Sequence, residues 1–342
     1  VMAELSQLCK ELGSALLLIS HDLAMASRWC DRMVMLDGGR KVEEGAATTV
    51  LTQPKSEMGQ RLVASARARE GGRSPERPDH ATVLTVDAMR CWHAIGGPPW
   101  KPTWLKAVND ISFDLRAGES LGVVGASGCG KSTLCRALMG LTGIRGGRVE
   151  LQGQDLLSLR GEALRVARRA VQMVFQDPLA CLNPALPVVD AIADPLLIHG
   201  ICSKAEARER ARALLHRVGL RPAEQFQQRR PRQLSGGQQQ RVAIARALAL
   251  EPSVLICDES VSMLDAEVQA EVLGLLRELQ NELGLAMIFV THDLSVASGF
   301  CHRVIVLDQG KIVEEGPGDR IFHAPQAAIS RLLVEASPRL PR

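Results

Sequence analysis

The chain has 342 residues, 46% hydrophobic and 23% charged, with a formal net charge of +3. That is a globular composition with room for one to three domains, and so small a charge bias gives no argument for nucleic acid as a partner. Aromatic residues make up 3% and Tyr is absent, which leaves few stacking surfaces for single strands.

Nine cysteines are scattered with no CxxC pair, so neither a zinc site nor a disulfide framework is expected. They read as buried, reduced thiols of a cytosolic protein. No apolar run approaches the ~18–20 residues of a spanning helix. Glu4, Lys10 and Glu11 interrupt the start in a way a signal peptide would not tolerate. The expectation is a soluble chain that meets a membrane only through a partner.

In chain order, ELGSALLLISHDL (11–23) comes first, with Ala15–Ile19 reading as a short buried strand. It returns as ELGLAMIFVTHDL (282–294), and MVMLDGGRKVEEG (33–45) returns as VIVLDQGKIVEEG (304–316). The two copies align without a gap, and Pro54 meets Pro325. Such a match signals duplicated domains of roughly 250 residues, not a short solenoid repeat. The first copy has nothing that corresponds to residues 82–271. The expectation is therefore the C-terminal part of a longer tandem protein, with Val1 in place of Met pointing to a fragment or a late start. On this reading residues 1–60 are the tail of a first domain, 61–80 a linker, 81–336 a complete second domain and 337–342 a tail. Residues 66–80, rich in Arg, Gly, Pro and Glu, read as an exposed linker, with a basic partner-binding patch as the alternative. Without strands to pack against, residues 1–60 are expected to be poorly ordered.

The second copy alternates strands with helices. ATVLTVDAM (81–89) and LKAVNDISFDL (105–115) read as strands by β-branched content and partial alternation. SLGVVG (120–125), SVLICD (253–258) and LAMIFVT (285–291) read as buried strands of parallel type, and residues 188–250 as mostly helical. The order implies an α/β core with a helical insertion.

GASGCGKST, Gly125–Thr133, fits G-x-x-x-x-G-K-[ST] between a strand and a helix, the context that confirms a phosphate loop. In it Gly125, Ala126, Ser127, Gly128, Cys129 and Gly130 turn backbone N–H groups toward phosphate oxygens. Lys131 reaches the outer phosphates of a nucleotide. Ser132, followed by Thr133, supplies a hydroxyl to Mg2+, a hard cation that takes oxygen ligands. SVLICDES sets Asp258 and Glu259 at the end of a buried strand, Asp258 to hold Mg2+ and Glu259 to act as general base on the attacking water.

LSGGQQQR (234–241), between the phosphate loop and Asp258, resembles the signature of ATP-binding-cassette (ABC) ATPases. The resemblance covers residues 82–335 as a whole domain and residues 1–60 as a tail. It implies an α/β fold: a P-loop NTPase core with an antiparallel β subdomain and a helical subdomain. It also implies a head-to-tail dimer in which Ser235, Gly236, Gly237 and Gln238 of one domain close on the γ-phosphate held by the other. That second domain is either another chain or the missing half. VFQDP (174–178) looks like the Q-loop, so Gln176 would sense Mg2+ and water and face a membrane partner. SMLD (262–265) looks like the D-loop, with Asp265 communicating across the dimer. His292 looks like the switch histidine; His21 is its counterpart in the first copy, with no phosphate loop to serve in this chain. Trp92 is the candidate to stack on adenine, with Trp100 and Trp104 competing. Two departures from the family, Ser260 in place of the usual Pro and Met263 in place of Ala, bear on backbone rigidity and rate.

FQDPLACLNP, ICDESVSMLDAEVQAEV and EEGPGDRIFHAPQ look like the peptide and nickel import branch, although no Cys follows Cys301 to form the cluster some members carry. The function implied is ATP hydrolysis driving a bacterial importer of di- or oligopeptides, at the cytoplasmic face of the inner membrane. Its partners would be two permease subunits and, indirectly, a periplasmic solute-binding protein; no nucleic acid is expected. The alternatives are nickel or glutathione import, a soluble cassette outside transport, and an inert regulatory fragment.

Overall fold

The first copy folds as helices α1 (Met2–Leu12) and α2 (Leu23–Trp29), an antiparallel ribbon of β1 (Arg32–Asp37) and β2 (Arg40–Ala46), and helices α3 (Ala47–Thr52) and α4 (Glu57–Arg69). The computed structural model describes residues 2–20, 22–69, 74–98, 100, 102–262 and 264–337; His21 and Met263 lie outside the described residues.

The second copy begins with the long antiparallel pair β3 (Thr82–Gly96) and β4 (Thr103–Arg116), followed by β5 (Ser120–Gly125) and α5 (Lys131–Leu138). Strands β6 (Gly146–Leu151) and β7 (Gln154–Asp155) return to the β3 side, completing a sheet of order β4-β3-β6-β7. Helix α6 (Gly161–Ala167) and a 3₁₀ turn at Arg168–Ala170 lead into β8 (Val171–Val174). A helical block follows: α7 (Val188–Ile198), α8 (Lys204–Arg217), α9 (Ala223–Phe226) and α10 (Gly236–Leu248). The chain then alternates: β9 (Val254–Asp258), α11 (Ala266–Leu283), β10 (Ala286–Val290), α12 (Leu294–Phe300), β11 (Arg303–Asp308), β12 (Lys311–Gly316), α13 (Gly318–His323) and α14 (Ala328–Ala336).

The central sheet has the order β12-β11-β5-β10-β9-β8, with β12 antiparallel at its edge and the other neighbours parallel. Every residue of β5 and β10 is buried, as expected for strands covered on both faces. Successive side chains feed opposite cores. Leu255, Cys257, Met287 and Phe289 face the helical block, whereas Leu121, Val123, Ile256 and Ile288 face the antiparallel sheet. This is the α/β architecture expected, with both the antiparallel and the helical subdomains present.

Within segment 66–80, the described residues around Ser74 and Arg77 depart from the exposed linker read from its composition. Helix α4 extends through residue 69 and packs against α11 and α12. Ser74 is buried: its hydroxyl donates to the Ser298 carbonyl (2.9 Å) and accepts from the Asp319 amide (2.9 Å). Arg77 pairs with Asp114 and with the fully buried Glu119, which also accepts from Arg303 Nε at 3.1 Å. A charged, Pro-rich stretch packs here because its polar groups complete buried groups far away in sequence, and composition carries no sign of them.

The strand expected at Ala15–Ile19 does not form: these residues have no regular structure, and Leu17 and Ile19 are 87% and 91% exposed. Its counterpart β10 lies between β5 and β9, and among the described residues the first copy shows no equivalent of either. Beyond that point the two copies agree closely. Met33 pairs with Gly45 as Val304 pairs with Gly316, and the irregularity between Met35 and Leu36 repeats between Val306 and Leu307. Glu43 accepts from the Lys55 and Ser56 amides as Glu314 does from Gln326 and Ala327. Local order survives where the partners are local; only the part that needs distant strands fails. Phe289, fully buried and 5.0 Å from the Phe300 ring, should therefore cost about 3–5 kcal/mol when changed to Ala, while Ile19→Ser should cost less than about 0.5 kcal/mol. Urea unfolding followed by far-UV circular dichroism checks both.

Candidate functional site

The polar residues singled out above gather at one edge of the central sheet, beyond the carboxyl ends of β5, β10, β9 and β8. Open parallel sheets place ligand sites there, because the strands themselves are buried and only their exits are free to carry polar loops.

Gly125–Gly130 turns from β5 into α5. Ala126, Ser127 and Gly128 are exposed and Cys129 is buried. Gly130, at φ +116°, is the helix N-cap. A Cβ there would lie 2.0 Å from the Ala107 carbonyl oxygen, so only glycine lets the loop close on β4. The loop is held from below as well, by a Gly310 amide donating to the Cys129 carbonyl (2.9 Å). Lys131 is buried, and its Nζ donates to the carbonyls of Gly125 (2.8 Å) and Ala126 (3.0 Å), so the ammonium sits inside the loop. Ser132 is exposed and Thr133 half-buried.

Asp258 and Glu259 leave the end of β9. Burial, reinforced by the adjacent Glu259 charge, pushes the Asp258 carboxyl above its usual range; the Ser132 hydroxyl, Arg136 and Lys131 act in the opposite direction. Glu259 has φ +46°, an unusual conformation for a side-chain-bearing residue. Its amide donates to the Val290 carbonyl (2.9 Å), and Ser262 Oγ donates to its carbonyl (2.8 Å). The register β9–β10 places Asp258 opposite Val290, and two residues later His292 Nδ1 comes within 3.6 Å of Glu259 Oε1. A carboxylate and an imidazole separated by more than thirty positions in sequence thus meet at one edge. Gln176 follows β8 and is exposed at the same end of the sheet.

Five expected residues are elsewhere. Ser235 caps α10, with Gln238 completing a capping box through contacts of 3.4 and 3.1 Å. Gly236 is exposed, and Gly237 is pressed so close to α11 that a Cβ would lie 2.4 Å from Val268. Helix α10 packs against α7, α8, α11 and β8, whereas α5 packs against β3, β4, β5 and β9. Within one chain the signature segment therefore does not join the phosphate loop. Asp265 caps α11, accepting from the Val268 amide at 3.0 Å.

Among the tryptophans, Trp92 pairs with Lys106 across β3–β4, one residue from the Ala107 carbonyl that supports Gly130. Lys106 Nζ lies 4.9 Å from its ring centre, and its indole N–H is buried without a partner. Trp104 is covered by Arg145 at 3.4 Å, and Trp100 is 85% exposed. Sequence reasoning missed Ala107, Gly310 and Arg136. All three act on the loop or on Asp258 from other elements, and no motif spacing signals them.

A profile of the ABC transporter family matches residues 108–262. The chain is 37% identical to the glutathione import ATP-binding protein GsiA of Pectobacterium atrosepticum, over 99% of this chain and 59% of that one. It is 46% identical to the oligopeptide transport ATP-binding protein OppF of Escherichia coli, over 70% of this chain and 72% of that one. With 59% and 64% of their lengths covered, the chain spans only about three-fifths of the longer relatives GsiA and YejF. A solved dimeric ATP-binding cassette in a post-hydrolysis state with ADP and Pi matches with a TM-score of 0.61 and 32% identity, over 68% of this chain and 98% of that one. The chain belongs to the ATP-binding-cassette family of ABC transporter ATP-binding proteins.

Proposed function

We propose that the chain is an ATP-hydrolysing subunit that drives import of di- or oligopeptides or a related solute such as glutathione. One observation carries the reading: a nucleotide-type phosphate loop and the Glu259–His292 pair lie at the same sheet edge, in a chain similar over nearly its whole length to a relative named for glutathione import.

In the proposed reaction the amides of Gly125–Gly130 and the first turn of α5 take the phosphates of ATP, aided by the partial positive charge of that helix end. Lys131 Nζ exchanges its two loop carbonyls for phosphate oxygens. Glu259 withdraws a proton from a water aimed at the γ-phosphorus. The new P–O bond forms as the bond to the β–γ bridging oxygen breaks, giving ADP and phosphate. His292 steadies the γ-phosphate and the Glu259 carboxylate. Trp92, nearest of the tryptophans to the loop support, serves as the adenine platform.

The donors around Asp258 suit Mg2+: hard oxygens, with two neighbouring carboxyls whose mutual repulsion a divalent cation would relieve. Ser132, Asp258 and Gln176 would hold it, and when bound it supplies charge neutralisation on the phosphates. Ser235, Gly236, Gly237 and Gln238, remote from their own phosphate loop, close on the nucleotide of a second cassette, and Asp265 lies at that boundary. Permease subunits then dock beside Gln176, at the cytoplasmic face of a membrane. Among the described residues no helix is long and apolar enough to cross one.

Residues 1–60 are proposed to be the tail of another cassette in a tandem chain, 61–80 the connection and 81–336 the working domain. Their support is the shared β-ribbon register and the paired Glu43 and Glu314 contacts.

Glu259→Gln should lower ATP turnover about 10²–10⁴-fold while leaving nucleotide affinity intact and trapping a dimer visible by size-exclusion chromatography; full turnover in that variant removes Glu259 from its role. Lys131→Ala should abolish measurable Mg-ATP binding by calorimetry; unchanged affinity refutes the nucleotide reading. Turnover per chain should also fall as the protein is diluted, because each site is completed by a second cassette.

A further inference from the structure

His199, at the end of α7, is gripped by two guanidiniums from the other side of the segment that carries Gln176. Arg169 Nε donates to His199 Nδ1 (3.0 Å) and Arg169 Nη2 donates to the His199 carbonyl (3.2 Å). Arg165 Nη1 lies 3.2 Å from the same Nδ1 and donates to the Ile198 carbonyl (3.2 Å). Arg165 is in turn held by Glu162 through contacts of 2.7 and 2.6 Å.

Guanidinium nitrogens only donate, so Nδ1 must accept, and the ring must be neutral with its proton on Nε2. Arg169 lies two residues before β8, which leads toward Gln176; α7 begins at Val188 and is capped at its carboxyl end by this histidine. The grip therefore closes a loop of thirty residues around the Gln176 segment and ties the helical block to the core strand. One imidazole thus bridges the two flanks of that segment, β8 on one side and α7 on the other.

We propose that His199 is a positioning residue whose neutral imidazole latches the flanks of residues 175–187, and that its protonation releases them. The charged groups bearing on its ring are Arg169, Arg165 and Glu162. The charges that α8 and α10 turn toward α7, Arg208 and Arg246, are paired with Asp190 and Asp194 earlier in that helix. Burial, then the Arg169 and Arg165 charges, hold the imidazole below its ordinary value of 6.5, against the pull of Glu162. Because the folded-state value is depressed, the latch is at full strength above about 6.5 and is lost as pH falls through the lowered value. The consequence for catalysis rests on the role proposed above for Gln176, but the latch does not.

The test is hydrogen exchange of the 175–187 peptide in the full chain without nucleotide, corrected for intrinsic rates, at about pH 7.5 and about pH 5. The wild type should lose roughly tenfold in protection at the acid pH. His199→Asn, whose side-chain oxygen replaces Nδ1 as a non-titrating acceptor, should keep its protection at both. His199→Ala should be unprotected at both. The proposal is overturned if wild-type protection is independent of pH, if His199→Asn fades with acid as the wild type does, or if His199→Ala matches the wild type at the higher pH. None of these readings depends on whether ATP is hydrolysed.

Discussion

The burial of β10 between β5 and β9 aligns everything that follows. Five parallel strands are covered on both faces, so their backbones pair with each other and their side chains fill two cores. Polar loops leave only where the strands end. Because β9 and β10 end level and β5 runs only two residues further, the loop after β5, the acids at the end of β9 and the histidine after β10 share one edge without any contact in sequence. The site is a consequence of strand register, and its precision comes from the stiffness of a close-packed core.

The two copies of the repeat make this constraint visible. Their sequences are alike, yet ALLLI at 15–19 is exposed and irregular where AMIFV at 286–290 is fully buried. Val34 and Leu36 on β1 are 49% and 65% exposed, whereas their counterparts Ile305 and Leu307 are completely buried against β5. A strand is not a property of its own residues; it needs neighbours to take its hydrogen bonds and its side chains. The ribbon, caps and turn contacts of the first copy persist because each finds its partner within a few tens of residues.

That contrast also explains what the sequence made legible. As candidates, the loop 125–133, Asp258, Glu259 and His292 are legible because each sits at a strand exit marked by an apolar run that ends in polar residues. The strand at 15–19 was misread because periodicity records what a segment would bury, not whether a partner exists. Ser74 and Arg77 were missed because their partners, Ser298 and Glu119, are fixed only by the tertiary fold. The supports of the phosphate loop, Ala107 and Gly310, act through backbone atoms and leave no mark in residue type. The same holds for the His199 clamp, whose members are common surface residues until the fold brings them together.

The central claim is that amides 126–132 form the phosphate seat and that the first copy has none. Residue-resolved hydrogen exchange with and without Mg-ATP addresses it directly. The account predicts added protection at residues 126–132 and around Asp258 and His292, with residues 2–20 unchanged. Equal exchange at 126–132 in both conditions, or protection confined to the first copy, would contradict it.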